Sequence, residues 1–160
     1  MDRRHLLIAG VAASVVADAT PSLAASDESQ DIVGSWFGTV TATNPPLGQF
    51  NDLISFHTGG VVTESRRYLV SPTPFGNLLE TTGHGAWGQT GTNTFEAFFR
   101  FLLQNASSGA PIGTDNIRLF LTLDTTAGTL TGTFQSQIKD TAGNLLLAVS
   151  GNYSAALITL

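Results

Sequence analysis

A chain of 160 residues is long enough for one domain with a buried core. Only 12% of it is charged, the net charge is −5, and no cluster of Lys or Arg occurs beyond the first few residues, so nucleic acid and anionic membrane surfaces are disfavoured as partners. The absence of cysteine excludes disulfides, zinc-thiolate sites and cysteine nucleophiles.

The first segment reads as an address. Arg3-Arg4-His5-Leu6-Leu7 precedes an apolar run to Val16, and Ser22-Leu23-Ala24 offers a small-x-small cleavage pattern. The run is too short and alanine-rich to span a bilayer, so no membrane insertion is expected after cleavage. The arginine pair resembles a bacterial twin-arginine signal, although it lacks the usual Ser before the pair and Lys after the leucines. Residues 1–24 are therefore expected to be removed, residues 25–31 to form a flexible leader, and residues 32–160 to fold in the periplasm or outside the cell.

Ser35–Thr43 alternates as a first strand, with Trp36, Gly38, Val40 and Ala42 on one face. Asn44-Pro-Pro stops it, because proline cannot donate to a ladder. Phe50–His57 and Val61–Leu69 form the second and third strands around the turn Thr58-Gly59-Gly60. Ser71–Asn77 is a proline-broken loop, and Gly83–Gly88 leads into the fourth strand. Thr94–Leu103 is the most apolar segment. A short run like this can also be a helix, but its glycine-bounded flanks and phenylalanine content favour a strand with Phe95, Ala97, Phe99, Phe101 and Leu103 on one face. Ile117–Leu123, a strand pairing Leu130, Gly132, Phe134, Ser136 and Ile138 on one face, and Leu145–Ser154 complete a set of eight. Eight strands joined mostly by short turns predict an all-β, up-and-down antiparallel barrel, since closure removes exposed edges. A barrel of that size either fills with side chains or holds one small ligand.

With Gly34-Ser35-Trp36 opening the first of eight meandering strands, residues 31–154 resemble the lipocalin-like (calycin) barrels. They depart from the lipocalin pattern in lacking a central Asp-Tyr-type motif and an arginine on a late strand. The resemblance implies a cup that binds a small apolar molecule, and some barrels of similar shape are cyclases, isomerases or decarboxylases. In such a cup Trp36, Trp87, Phe95, Phe99, Phe101 and Phe134 are the candidate ligand-lining residues.

The candidate chemistry rests on a few polar side chains. His84, between Gly83 and Gly85, could act as acid or base near neutral pH, or simply hydrogen-bond at a strand entrance. Glu64, Arg66 and Tyr68 share a strand face with Val62, and either that face is outward and wet or it forms a polar cluster inside the cup. The outward reading is favoured, because charges are seldom buried without partners. Glu96 and Arg100 pose the same question on the fifth strand. If Glu64 and Arg100 point inward near His84, they form an acid–base and oxyanion constellation, with Tyr68 as a further proton carrier. The three histidines show no ligand-like spacing, so neither a metal nor another cofactor is expected. Two functions follow as expectations: a carrier of a small hydrophobic molecule, or a cofactor-independent cyclase, isomerase or lyase working by acid–base chemistry in the lumen. A filled barrel that dimerises through outward Phe98 and Leu102 is the blander reading.

Overall fold

The computed structural model describes residues 32–67, 69–70 and 76–159, with only the backbone path for Leu69 and Val70. The expected signal and leader, Tyr68, residues 71–75 and Leu160 lie outside the described residues. All the regular elements within them are strands: β1 (Gly34–Asn44), β2 (Gly48–His57), β3 (Val61–Arg66), β4 (Leu69–Val70), β5 (Leu78–Glu80), β6 (Gly83–Gly91), β7 (Thr94–Asn105), β8 (Pro111–Asp124), β9 (Thr129–Asp140) and β10 (Leu145–Leu157). β1, β2, β3, β6, β7, β8, β9 and β10 pair antiparallel in a ring, which the β7–β8 and β1–β10 ladders close. The fold is therefore the closed eight-stranded up-and-down barrel expected from the strand pattern.

Alternation decides which side chains enter the lumen. On β7, Phe95, Ala97, Phe99, Phe101 and Leu103 are buried while Phe98, Arg100 and Leu102 are exposed, so the helix alternative is eliminated. On β9, Phe134, Ser136 and Ile138 are buried, while Thr133, Gln135 and Gln137 face out. The floor of the barrel lies where β1 begins. There Trp36 donates from Nε1 to the Ile32 carbonyl at 3.0 Å, and Trp87 donates to the His57 carbonyl at 3.0 Å. Trp87 also meets Phe56 and Phe95 edge-on, with ring centroids 5.9 and 6.0 Å away. Both indoles are thus packing elements with their N–H groups satisfied.

The opposite end, the mouth, is where the sequence reading needs correction. The third strand does not run to Leu69. It ends at Arg66, and β4 and β5 form a separate small hairpin whose β5 edge pairs with β7. The β6 ladder to β7 is interrupted at Thr81, which bonds Leu102 through both its backbone N–H (3.2 Å) and its side-chain oxygen (3.1 Å). The hydroxyl replaces a backbone acceptor there, so one edge of β7 carries two successive strands. β8 starts six residues earlier than the expected Ile117, because Thr114, Asp115 and Asn116 continue the ladder to β7 and β9.

Candidate functional site

Three cross-strand pairs on β2 and β3 build the site. Phe56 faces Val62 near the floor, Ile54 faces Glu64, and Asp52 faces Arg66 near the mouth. Because positions two apart share a face, the apolar residues that direct β2 and β3 into the lumen carry Asp52, Glu64 and Arg66 in with them. Glu64 is 2% and Asp52 4% exposed. The face carrying Val62, Glu64 and Arg66 is therefore inward, contrary to the outward reading favoured on charge alone.

Arg66 makes this burial possible. Its Nε and Nη2 donate to both Glu80 carboxylate oxygens at 2.7 and 2.8 Å, and Nη2 also donates to Asp115 Oδ2 at 2.7 Å. The guanidinium lies 4.3 Å from the Phe101 ring centroid. Ser136 donates to the second Asp115 oxygen at 2.6 Å. Three strands, β3, β5 and β8, are thereby joined through one cation. Burial alone would lower the Arg66 pKa, but the carboxylates of Glu64, Glu80 and Asp115 outweigh it and raise it, so the cation is permanent. Burial pushes the Glu80 carboxyl up, against the pull of Arg66.

Below this ion cluster lies a second, differently balanced pair. The Asp52 and Glu64 carboxyl groups are within hydrogen-bonding reach of each other, and the Tyr153 hydroxyl approaches Asp52 Oδ1 at 3.4 Å. Space for this contact comes from Gly38, where an added Cβ would overlap both the Asp52 carboxylate and the Tyr153 hydroxyl. Burial pushes the Asp52 pKa up to about 6, and burial raises Glu64 well above the usual carboxylate range. Glu64 is the more deeply buried of the two and is shifted further, so it holds its proton to higher pH than Asp52 does. Burial likewise raises Tyr153, which stays a neutral phenol. Glu64 Oε2 is buried with no hydrogen-bond partner among the described residues. These groups border a cavity of about 10 Å³, walled on its apolar side by Phe99, Leu119 and Phe134. Such a volume admits about one water molecule.

The other expected residues are distributed differently. The six candidate ligand-lining aromatics are all inside: Trp36, Trp87 and Phe95 pack towards the floor, Phe99 and Phe134 wall the cavity beside Asp52 and Glu64, and Phe101 lies against Arg66 at the mouth. His84 and Arg100 are directly paired across β6 and β7, yet both are exposed on the outer wall, where Arg100 Nε donates to Asn116 Oδ1 at 2.6 Å. Glu64 is paired with Gly83 and faces the other way, so the wall separates it from His84 and the expected constellation does not assemble. Glu96 forms a half-exposed ion pair with Arg118 at 3.2 Å. Phe98 and Leu102 do point outward, 39% and 55% exposed.

No family model matches the chain. Neither a curated protein nor a solved structure matches it either, so the reading of the site rests on its own geometry.

Asp52, Glu80, Asp115, Ser136 and Tyr153 were not singled out from the sequence. The available signal was a polar residue set in register with apolar ones: Asp52 between Phe50 and Ile54, Asp115 two before Ile117, and Ser136 between Phe134 and Ile138. Each of them occupies an inward position of an otherwise apolar strand face.

Proposed function

We propose that this barrel, lipocalin-like in form and exported on its arginine-pair leader, is a cofactor-independent acid–base catalyst of the isomerase, lyase or cyclase type. Asp52 acts as the base and Glu64 as the acid on a small, mostly apolar substrate, with Arg66 holding the field of the site constant. The observation that carries this reading is the Asp52–Glu64 pair: two carboxyl groups on neighbouring strands, buried beside a cavity, with both pKa values pushed up. Two carboxyl groups whose pKa values are pushed apart by their surroundings can divide the roles of base and acid between them. The aromatic walls exclude water and strengthen every interaction inside them.

A carrier of a small hydrophobic molecule is the second reading, supported by the aromatic lining of the lumen. The cavity beside Asp52 and Glu64 has room for about one water, so it admits such a passenger only if the rings around it move. A catalytic substrate likewise requires the aromatic walls of the cavity to shift.

The test compares wild type, Asp52→Asn and Glu64→Gln on a panel of enolisable ketones, small epoxides and β-hydroxy acids in heavy water, read by mass spectrometry. Turnover or hydrogen exchange should fall by roughly 100-fold or more in each variant while the circular dichroism stays native. A hydrophobic molecule that co-purifies with the protein, bound equally by wild type and both variants, would support the carrier and refute the acid–base reading.

A further inference from the structure

Glu64 Oε2 sets the buried pair apart from the ion cluster above it. Around Arg66, both Glu80 oxygens and both Asp115 oxygens have donors. Glu64 Oε2 is, among the described residues, the buried side-chain polar atom without a partner, on a residue 2% exposed that borders the lumen cavity. The desolvation cost of such an atom is removed only by a group that hydrogen-bonds to it. The cavity is polar on the side of Asp52, Glu64, Arg66 and Tyr153, and its volume of about 10 Å³ lies at the lower limit for one water. With two to four polar groups in reach, these are the conditions under which an internal water is retained.

We propose that this cavity binds a single water molecule, held between Glu64 Oε2, the Asp52 carboxylate and the Tyr153 hydroxyl, and that this water is a reactant, so the site adds water to its substrate. The inference rests on the acid–base reading and narrows it to hydration or hydrolysis of a small apolar electrophile, an epoxide being the simplest. Asp52 takes one proton from the water, and the resulting hydroxide oxygen forms a bond to carbon. The carbon–oxygen bond of the epoxide breaks, and its oxygen takes the proton of Glu64. Substrate plus water gives a diol, with no oxidant or reductant needed. Asp52 then carries the proton that Glu64 has lost, and the contact between the two carboxyl groups returns it in one transfer.

Two measurements test this. In a crystal structure of the mature protein that orders internal solvent, a water should lie within hydrogen-bonding distance of Glu64 Oε2 and of Asp52 or Tyr153. It should persist in Glu64→Gln and be absent from Glu64→Leu. A cavity without solvent density in wild type overturns the proposal. The second measurement incubates wild type and Asp52→Asn with cyclohexene oxide and styrene oxide in ¹⁸O-water. One labelled oxygen per diol, formed at least roughly 100-fold faster by wild type, is the expected result. An unlabelled, isomerised product formed only when Asp52 and Glu64 are intact overturns the water inference and leaves the acid–base reading standing. A water in place with no carboxyl-dependent product of either kind makes it structural, which overturns its role as reactant.

Discussion

Raising the pH from about 4 to about 7.5 should weaken the fold, the reverse of the usual behaviour of a protein rich in paired carboxylates. Asp52 has its pKa raised from 3.8 to about 6 by burial. Between those values the native state holds a proton that the unfolded chain has released. The free energy of unfolding therefore falls as pH rises through this window, and the contribution is complete only below the lower value. A shift of roughly two units corresponds to about 3 kcal/mol. Glu64, raised further by burial, extends the decline to higher pH with the same sign, and Glu80 adds to it. Urea unfolding followed by tryptophan fluorescence reads this directly, since Trp36 and Trp87 are both in the core. With a urea dependence of about 2 kcal/mol per molar, the midpoint should drop by roughly 1.5 M across the range. Asp52→Asn should flatten much of the slope, because an amide does not titrate. A wild-type midpoint that is constant or rises towards pH 7.5 would refute the claim that burial dominates these carboxyls. So would an unchanged slope in Asp52→Asn.

Arg66→Met removes the cation that is hydrogen-bonded to both Glu80 and Asp115, themselves buried. Breaking one side of such a pair should cost about 3–5 kcal/mol near neutral pH, measured as the loss of urea midpoint, and less in acid where Glu80 is protonated. A loss below about 1 kcal/mol would mean that solvent screens these contacts. Gly38→Ala forces Cβ into the Asp52 carboxylate and Tyr153 hydroxyl, so unfolding should become easier by about 1–3 kcal/mol. An Ala variant as stable as wild type would show that Asp52 and Tyr153 have room to separate. His84→Ala, on the outer wall, should change stability by no more than about 0.5 kcal/mol and leave any Asp52-dependent turnover intact. Lost turnover in that variant would return His84 to the mechanism.

Much of the barrel was legible because nearly every closing strand carries an apolar face at period two, and the faces assigned on β1, β7 and β9 are the ones that enter the lumen. The departures cluster at the mouth, where that signal fails for physical reasons. After Arg66 the next described inward side chains are Leu78 and Glu80, on a separate short strand. Where β5 gives way to β6 along β7, a threonine hydroxyl stands in for a backbone acceptor. The start of β8 was hidden because Pro111, Gly113 and Asp115 are turn-forming residues by local preference. Here Asp115 is held in a ladder by Arg66 and Ser136, residues distant in sequence. Local propensity loses to a tertiary ion pair at that position.

The same long-range pairing explains why the candidate site was only partly visible. Charge seldom enters a core without partners, which argued for an outward Glu64 and Arg66. The partners exist, but they come from β5 and β8, and their register relative to β3 emerges only when the barrel closes. Once it has closed, a purely structural role accounts for one half of the cluster. Arg66, Glu80, Asp115 and Ser136 satisfy one another and tie three strands at the mouth. It does not account for the other half. Asp52 and Glu64 place two acids together, one with an oxygen unpartnered among the described residues, beside a cavity lined by Arg66, Tyr153 and apolar side chains such as Val40, Phe99 and Leu119. Their raised pKa values mean that each opposes folding at neutral pH. Apolar side chains of similar volume would remove that penalty. A pair that lowers stability and sits beside a cavity is the feature on which the proposed acid–base role rests.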